Sequence, residues 1–156
     1  MNSVLRRACR IVSLAEKAIR MLEGWVTPFF DLAIRLYVAQ VFFRSGMVKI
    51  SDWGSTLALF QYEYHVPLLS PAVAAVMGAG GELLLSPLLA LGLAGRVGAA
   101  GLAVVNIMAV ISYGDLSDLG RQDHLLWGIL LLMVLFHGPG KLSLDRWLMG
   151  HRNAAT

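Results

Sequence analysis

Arg35, Glu82, Asn106 and His124 carry ionisable or amide chemistry into parts of this sequence where water is scarce. Glu82 is the sharpest case. It sits mid-way along residues 70–93, SPAVAAVMGAGGELLLSPLLALGL, a stretch long enough to cross a bilayer. An ionisable group inside such a span marks a functional site and needs a partner. A carboxylate there can take up and release a proton, and a nearby cation holds it ionised. Arg35 is the expected partner. A helix turns about 100° per residue, so Arg35 shares a face with Asp31, Ala39, Phe42, Gly46 and Lys49. Arg44 points the other way and can snorkel toward the outer interface. Counted at about 1.5 Å per residue from the cytoplasmic end of each segment, Arg35 lies about 12 Å deep and Glu82 about 16 Å. A guanidinium can close that gap.

Asn106 falls at a similar depth in the next apolar segment, where its amide can complete the hydrogen bonding of the pair. Gly46, Gly78 and Gly81 are the expected pocket-lining small residues, with Gly80 beside them. They would let a neighbouring helix or a flat ligand come close to the backbone. Pro87 should distort the Glu82 helix and free a carbonyl. His124, in Arg121-Gln122-Asp123-His124, stands near the outer mouth either as an interfacial histidine or as a titrating group at a ligand entrance. The pair has a plainer reading too: an intramembrane ion pair can serve only to hold helices in register.

Other chemistries find little support. Cys9 is the single cysteine, so the chain forms no internal disulfide and runs no dithiol exchange by itself. His124 and His137 are expected at opposite membrane faces, which excludes a haem or metal bridging them, and no metal is expected. No flavin motif is present.

The elements that must position these residues are membrane helices. Of the 156 residues 57% are hydrophobic and 15% charged, against about 45–50% and about 25% in soluble domains. Four stretches, 27–50, 70–93, 95–113 and 122–138, are apolar enough to span. The second and third are joined only by Leu93-Ala94-Gly95-Arg96, a tight helical hairpin. Pro67 and Pro71 bracket the start of the second span, and Pro139 ends the fourth. Residues 3–24 carry Val4, Leu5, Ala8, Ile11, Val12, Ala15, Ile19 and Leu22 at helical spacing, among Arg6, Arg7, Arg10, Lys17 and Arg20. That is a basic amphipathic helix suited to an anionic lipid surface. A cleavable signal peptide fits less well, because the apolar run is broken and no A-x-A site follows. The expected division is an interfacial helix over 1–26, a four-span domain over 27–148 and a tail over 149–156. The fold class is all-α, an integral membrane four-helix bundle.

Positive charge orients the bundle. With both termini cytoplasmic, that side holds Arg6, Arg7, Arg10, Lys17, Arg20, Arg96, Lys141, Arg146 and Arg152, and the other holds Lys49 and Arg121. The calculated pI of about 9.4 therefore reflects topology, and nucleic acid is not an expected partner. The lipid bilayer is. Trp25, Trp53, Tyr62, Tyr64, Tyr113 and Trp147 fall near the interfaces, as membrane anchors do.

Segments in order along the chain resemble the DoxX family of small four-helix membrane proteins. These are RLYVAQVFFRSGMVKI from Arg35, then FQYEYHVPLLSP, then GELLLSPLLALGLAGRVGAA with Glu82 and Arg96, and finally GPGKLSLDRWL at 138–148. The resemblance covers about residues 28–148 and leaves the basic N-terminal helix outside. It places Arg35, Glu82 and His124 at family-like positions and implies a bacterial inner-membrane protein. The family name comes from a subunit of a thiosulfate:quinone oxidoreductase. Some relatives look like partners in redox or stress complexes, and others accompany metal-responsive or peptide-maturation systems. Two functions follow. In one the protein is an accessory or partner-docking module, bound to another subunit or to copies of itself, with the ion pair as a strut. In the other it is a quinone-interacting oxidoreductase subunit without its own redox centre. There a non-covalently bound quinone meets Arg35 and Glu82, and His124 leads to outer water. A small-solute transporter is the remaining alternative.

Overall fold

The computed structural model describes residues 3–154; the side chains of residues 3–8, 10 and 151–154 fall outside that description, and with them those of Arg6, Arg7, Arg10 and Arg152. The chain is all-α. Helix α1 runs Ser3–Ser51, α2 Trp53–Tyr62, α3 Pro71–Leu91, α4 Gly95–Ser112, α5 Asp118–His137 and α6 Leu144–Ala154. Among the described residues four helices, α1, α3, α4 and α5, are long and apolar enough to cross a membrane. Their outward faces carry Leu84, Val104, Ile107 and Phe136, all exposed, as a bilayer requires. The protein is a multi-pass membrane protein.

Helix α1 carries the basic segment and the first span without interruption. Pro28 lies inside it, where the missing N–H leaves the carbonyl of Gly24 without its helical donor. Residues 11–26 are exposed, and packing begins at Thr27 and Pro28. The bundle core is built from Ile34, Val38 and Phe42 of α1, Leu89 of α3, Leu102 of α4, and Leu131 and Val134 of α5. Small residues let the helices approach. At Gly98 a methyl group would lie 3.1 Å from the Leu89 nitrogen and 3.2 Å from the Leu85 oxygen, so α3 and α4 meet backbone to backbone.

Each turn has a local cause. Asp52 caps α2, its carboxylate accepting from the Ser55 amide at 3.0 Å. That hydrogen bond and the one from the Ser55 hydroxyl hold the Asp52 carboxyl below its ordinary pKa. Pro71 opens α3 at the first helical position, where its missing donor costs nothing. Gly92 ends α3 in the left-handed region at φ 64°, and α4 begins three residues later, which makes the expected hairpin. Helix α3 continues unbroken through Pro87.

The α3–α4 hairpin is locked by the C-terminal segment. Ala94, at the start of α4, has no side-chain cap of its own. Asp145 provides one from a distance: its two oxygens accept from the Ala94 amide at 2.8 Å and the Gly95 amide at 3.0 Å. The Asp145 amide returns a bond to the Gly92 carbonyl at 3.0 Å. Both chain ends of the bundle therefore lie at one end, with α2 and the α4–α5 turn at the other.

Candidate functional site

Arg35 does not meet Glu82. It is 1% exposed and reaches the C-terminal turn of α3, donating to the Leu89 carbonyl at 3.5 Å and the Ala90 carbonyl at 3.1 Å, and also to the Leu142 carbonyl. Asp31 and Asp145 supply the nearby negative charge. A helix C-terminus leaves its last carbonyls without donors and carries partial negative charge, so a buried guanidinium there satisfies several acceptors at once. Asp31, 7% exposed, in turn presses on the tail: a methyl group at Gly140, φ 79°, would lie 2.6 Å from Asp31 Oδ2. Arg35 belongs to the joint between α1, α3 and the tail.

The expected pairing fails on register. Gly46, not Arg35, is level with Glu82, since a methyl group at Gly46 would stand 3.1 Å from Glu82 Cβ. Arg35 lies eleven residues earlier in α1, about 16 Å along the axis. Counting depth from the cytoplasmic end of each apolar stretch set α1 too deep relative to α3 by about 12 Å.

The partner of Glu82 is Lys49. Its Nζ donates to both carboxylate oxygens at 2.8 Å and to the Ser45 hydroxyl at 2.7 Å. The Ser45 hydroxyl is itself within hydrogen-bonding reach of the carboxylate. The side chains of Lys49 and Glu82 are 17% and 8% exposed, so this is an ion pair largely shielded from solvent. Lys49 was legible as a member of the Arg35 face, fourteen residues on and nearly four turns later. Its assignment to the outer surface, for the charge count, concealed it.

Asn106 and His124 come together. Asn106 Nδ2 donates to the His124 carbonyl at 2.9 Å, and Asn106 Oδ1 lies 2.7 Å from His124 Nδ1. With the amide nitrogen facing a carbonyl, the amide oxygen must be the acceptor, so Nδ1 carries the hydrogen. In the neutral ring Nε2 then holds the lone pair. The His124 ring also packs edge-on against Trp127 at 4.9 Å, and the Lys49 ammonium acts on it electrostatically. Three of the four sequence candidates, Glu82, Asn106 and His124, therefore gather at the Lys49 end, and Arg35 does not.

A cavity of about 140 Å³ opens beside the ion pair. Lys49 and Glu82 form its polar end, and Phe60, Tyr64, Met77, Val104 and Met108 line the rest. Gly78 is also in its wall, 3.4 Å from the Phe60 ring as judged by an added methyl group, while Gly81 faces Val105 of α4. Beyond Phe60 and Tyr64 lies a second cavity of about 270 Å³ that reaches Gln61 and His65 and shares this aromatic wall.

Tyr64 and Tyr113, expected as membrane anchors, have another place. Phe60 stacks on Tyr64 at 4.9 Å and Tyr64 on Tyr113 at 5.1 Å, while the backbones of Tyr64 and Tyr113 form an isolated antiparallel bridge. Burial raises the Tyr64 pKa, and the Glu63 carboxylate, hydrogen-bonded to Tyr113, raises that of Tyr113. Both stay protonated and neutral at physiological pH. Trp25, Trp53, Tyr62 and Trp147 are exposed, as anchors are. The aromatic stack was not legible in the sequence, because it depends on the α2–α3 turn meeting the end of α4.

These features define an all-α, four-span membrane bundle with a shielded Lys–Glu pair at the base of a small aromatic-walled cavity. The chain belongs to the DoxX family, whose model matches residues 30–114, just over half of the 156 residues. The match takes in Arg35, Lys49, Glu82 and Asn106 and stops short of His124 and the GPGKLSLDRWL segment. No curated protein and no solved structure matches the chain.

Proposed function

We infer that this protein is an accessory inner-membrane subunit of a redox system and that its Lys49–Glu82 cavity receives the head group of a quinone. The observation that carries the reading is the cavity itself. An apolar cavity of about 150 Å³ accommodates one benzene ring, and this one measures about 140 Å³. Its walls are aliphatic and aromatic, and its inner end offers an ammonium donor beside a carboxylate. A bound quinone accepts two electrons, here from a partner subunit, and two protons to become a quinol. Lys49 holds Glu82 in place, and the N–H that it gives to the Ser45 hydroxyl turns to a ring oxygen when the quinone enters. Glu82 relays the two protons one after the other, each taken up from outer water by way of the His124 Nε2 lone pair, and Phe60 with Tyr64 keeps bulk water out. The isoprenoid tail leaves past the aromatic wall or between α3 and α4.

Both termini lie on the cytoplasmic side in this reading, as the positive charges favour. The basic half of α1 lies along the anionic lipid surface, bending at Gly24–Pro28 where the helical hydrogen bonding is interrupted.

A second reading, in which the ion pair is only a strut in a partner-docking module, is favoured by how fully the pair is satisfied within the chain. One experiment separates the two. Protein isolated with native lipid is extracted and its quinone quantified for the native chain, for Lys49→Met, and for Gly78→Val, which fills the cavity without touching the pair. Quinone lost in both variants supports the first reading. Quinone absent from the native chain, or equal in all three, leaves the strut.

A further inference from the structure

A wide cleft lies at the opposite end of the bundle from the ion pair. It measures about 1070 Å³ and lies between α1 around Gly24–Asp31, the start of α4, the Gly138–Gly140 turn and α6. Three spans end there, which is the level of lipid headgroups. Three cations line it: Arg96, Lys141 and Arg146. Among the described residues the ion pairs are Arg20–Glu16 and Lys49–Glu82, so none of the three cleft cations is engaged in one. The carboxylates of the cleft are differently placed. Asp31 is buried beside Arg35, and both oxygens of Asp145 are taken by the Ala94 and Gly95 amides. Glu23 alone remains exposed against three unpaired cations. Next to them, Val97, Leu148 and Met149 form an exposed apolar wall.

We propose that this cleft is a binding site for the phosphate headgroup of an anionic phospholipid. Guanidinium groups bind phosphate oxygens in a fork, and a lysine adds a point charge. Basic pockets at helix ends near the membrane surface hold such headgroups. The apolar wall assigns the phosphate to a lipid, since a glycerol and acyl chain bury it and a free anion does not. Asp145 places the lipid against the tail that locks the α3–α4 hairpin, so an occupied cleft braces that joint.

Native mass spectrometry of the full chain in detergent tests this, with phosphatidylglycerol and phosphatidylcholine of identical acyl chains added in turn. The expected result is preferential retention of phosphatidylglycerol. Arg96→Gln, Lys141→Gln and Arg146→Gln should each weaken it about fivefold. Arg96→Lys should keep most of the affinity, and Leu148→Gln should weaken retention with the charge unchanged. Equal retention of the two lipids overturns the proposal, as does unchanged affinity in the Arg96, Lys141 and Arg146 variants. Complete displacement by inorganic phosphate assigns the site to a free anion and overturns the lipid.

Discussion

Lys49 and Glu82 face each other across the α1–α3 interface, with Nζ 2.8 Å from each carboxylate oxygen, and the pair forms the polar end of a cavity rather than the centre of the bundle. Breaking a buried pair on one side costs about 3–5 kcal/mol, whereas replacing it whole can be neutral. Glu82→Gln and Lys49→Met are each expected to lower the yield and melting temperature of folded protein, and the double variant to recover much of both. Thermal unfolding in detergent measures the cycle. Additive losses would show that the two charges do not interact.

Arg35 should behave independently of Glu82. Its guanidinium serves carbonyls of α3 and of the tail, so Arg35→Leu leaves buried acceptors and two carboxylates without it. The expected loss is about 3–5 kcal/mol. Arg35→Lys should rescue little, since an ammonium cannot span the same acceptors. Combining Arg35→Leu with Glu82→Gln should add the two losses, read from the same melting curves.

Gly98 has no room for a side chain, given the Leu89 nitrogen 3.1 Å and the Leu85 oxygen 3.2 Å from an added methyl group. Gly98→Ala should therefore push α4 from α3 and destabilise the bundle by about 1–3 kcal/mol. Gly24→Ala, where nothing lies within 4 Å, is the control and should leave the melting temperature nearly unchanged.

The two stacked tyrosines set an alkaline limit. Each has its pKa raised in the folded chain, so as pH climbs past the ordinary tyrosine value of about 10 the unfolded chain loses these protons first. Stability contributed by the neutral phenols is complete below that value and falls as pH rises toward the folded pKa. Phenolate absorbance should appear late in the folded protein. Glu63→Gln should bring Tyr113 back toward its ordinary value and move Tyr64 less, because burial is the larger cause there. An unaltered titration in that variant would remove Glu63 as the cause.

Orientation is tested directly. Reporter fusions after Gly24, Glu63, Asp118 and His151 should read in, out, out, in. A periplasmic signal at His151 would reverse the assignment.

Hydropathy and helical periodicity determined the spans by themselves. Apolar length sets them, Gly92 and the short connection after it set the hairpin, and a turn of about 100° per residue puts Asp31, Arg35, Ala39, Phe42, Gly46 and Lys49 on one buried face of α1. These are local properties, written into neighbouring residues. Which cation of that face meets Glu82 is not local. It depends on how far α1 slides along α3, and that register is decided by Arg35 capping the α3 carbonyls, by Gly46 accepting the Glu82 turn, and by Asp145 drawing the tail onto the hairpin. Those contacts join residues about 35 to 55 positions apart, so only the packed helices could choose Lys49 over Arg35 and draw Tyr64 from the interface into the cavity wall.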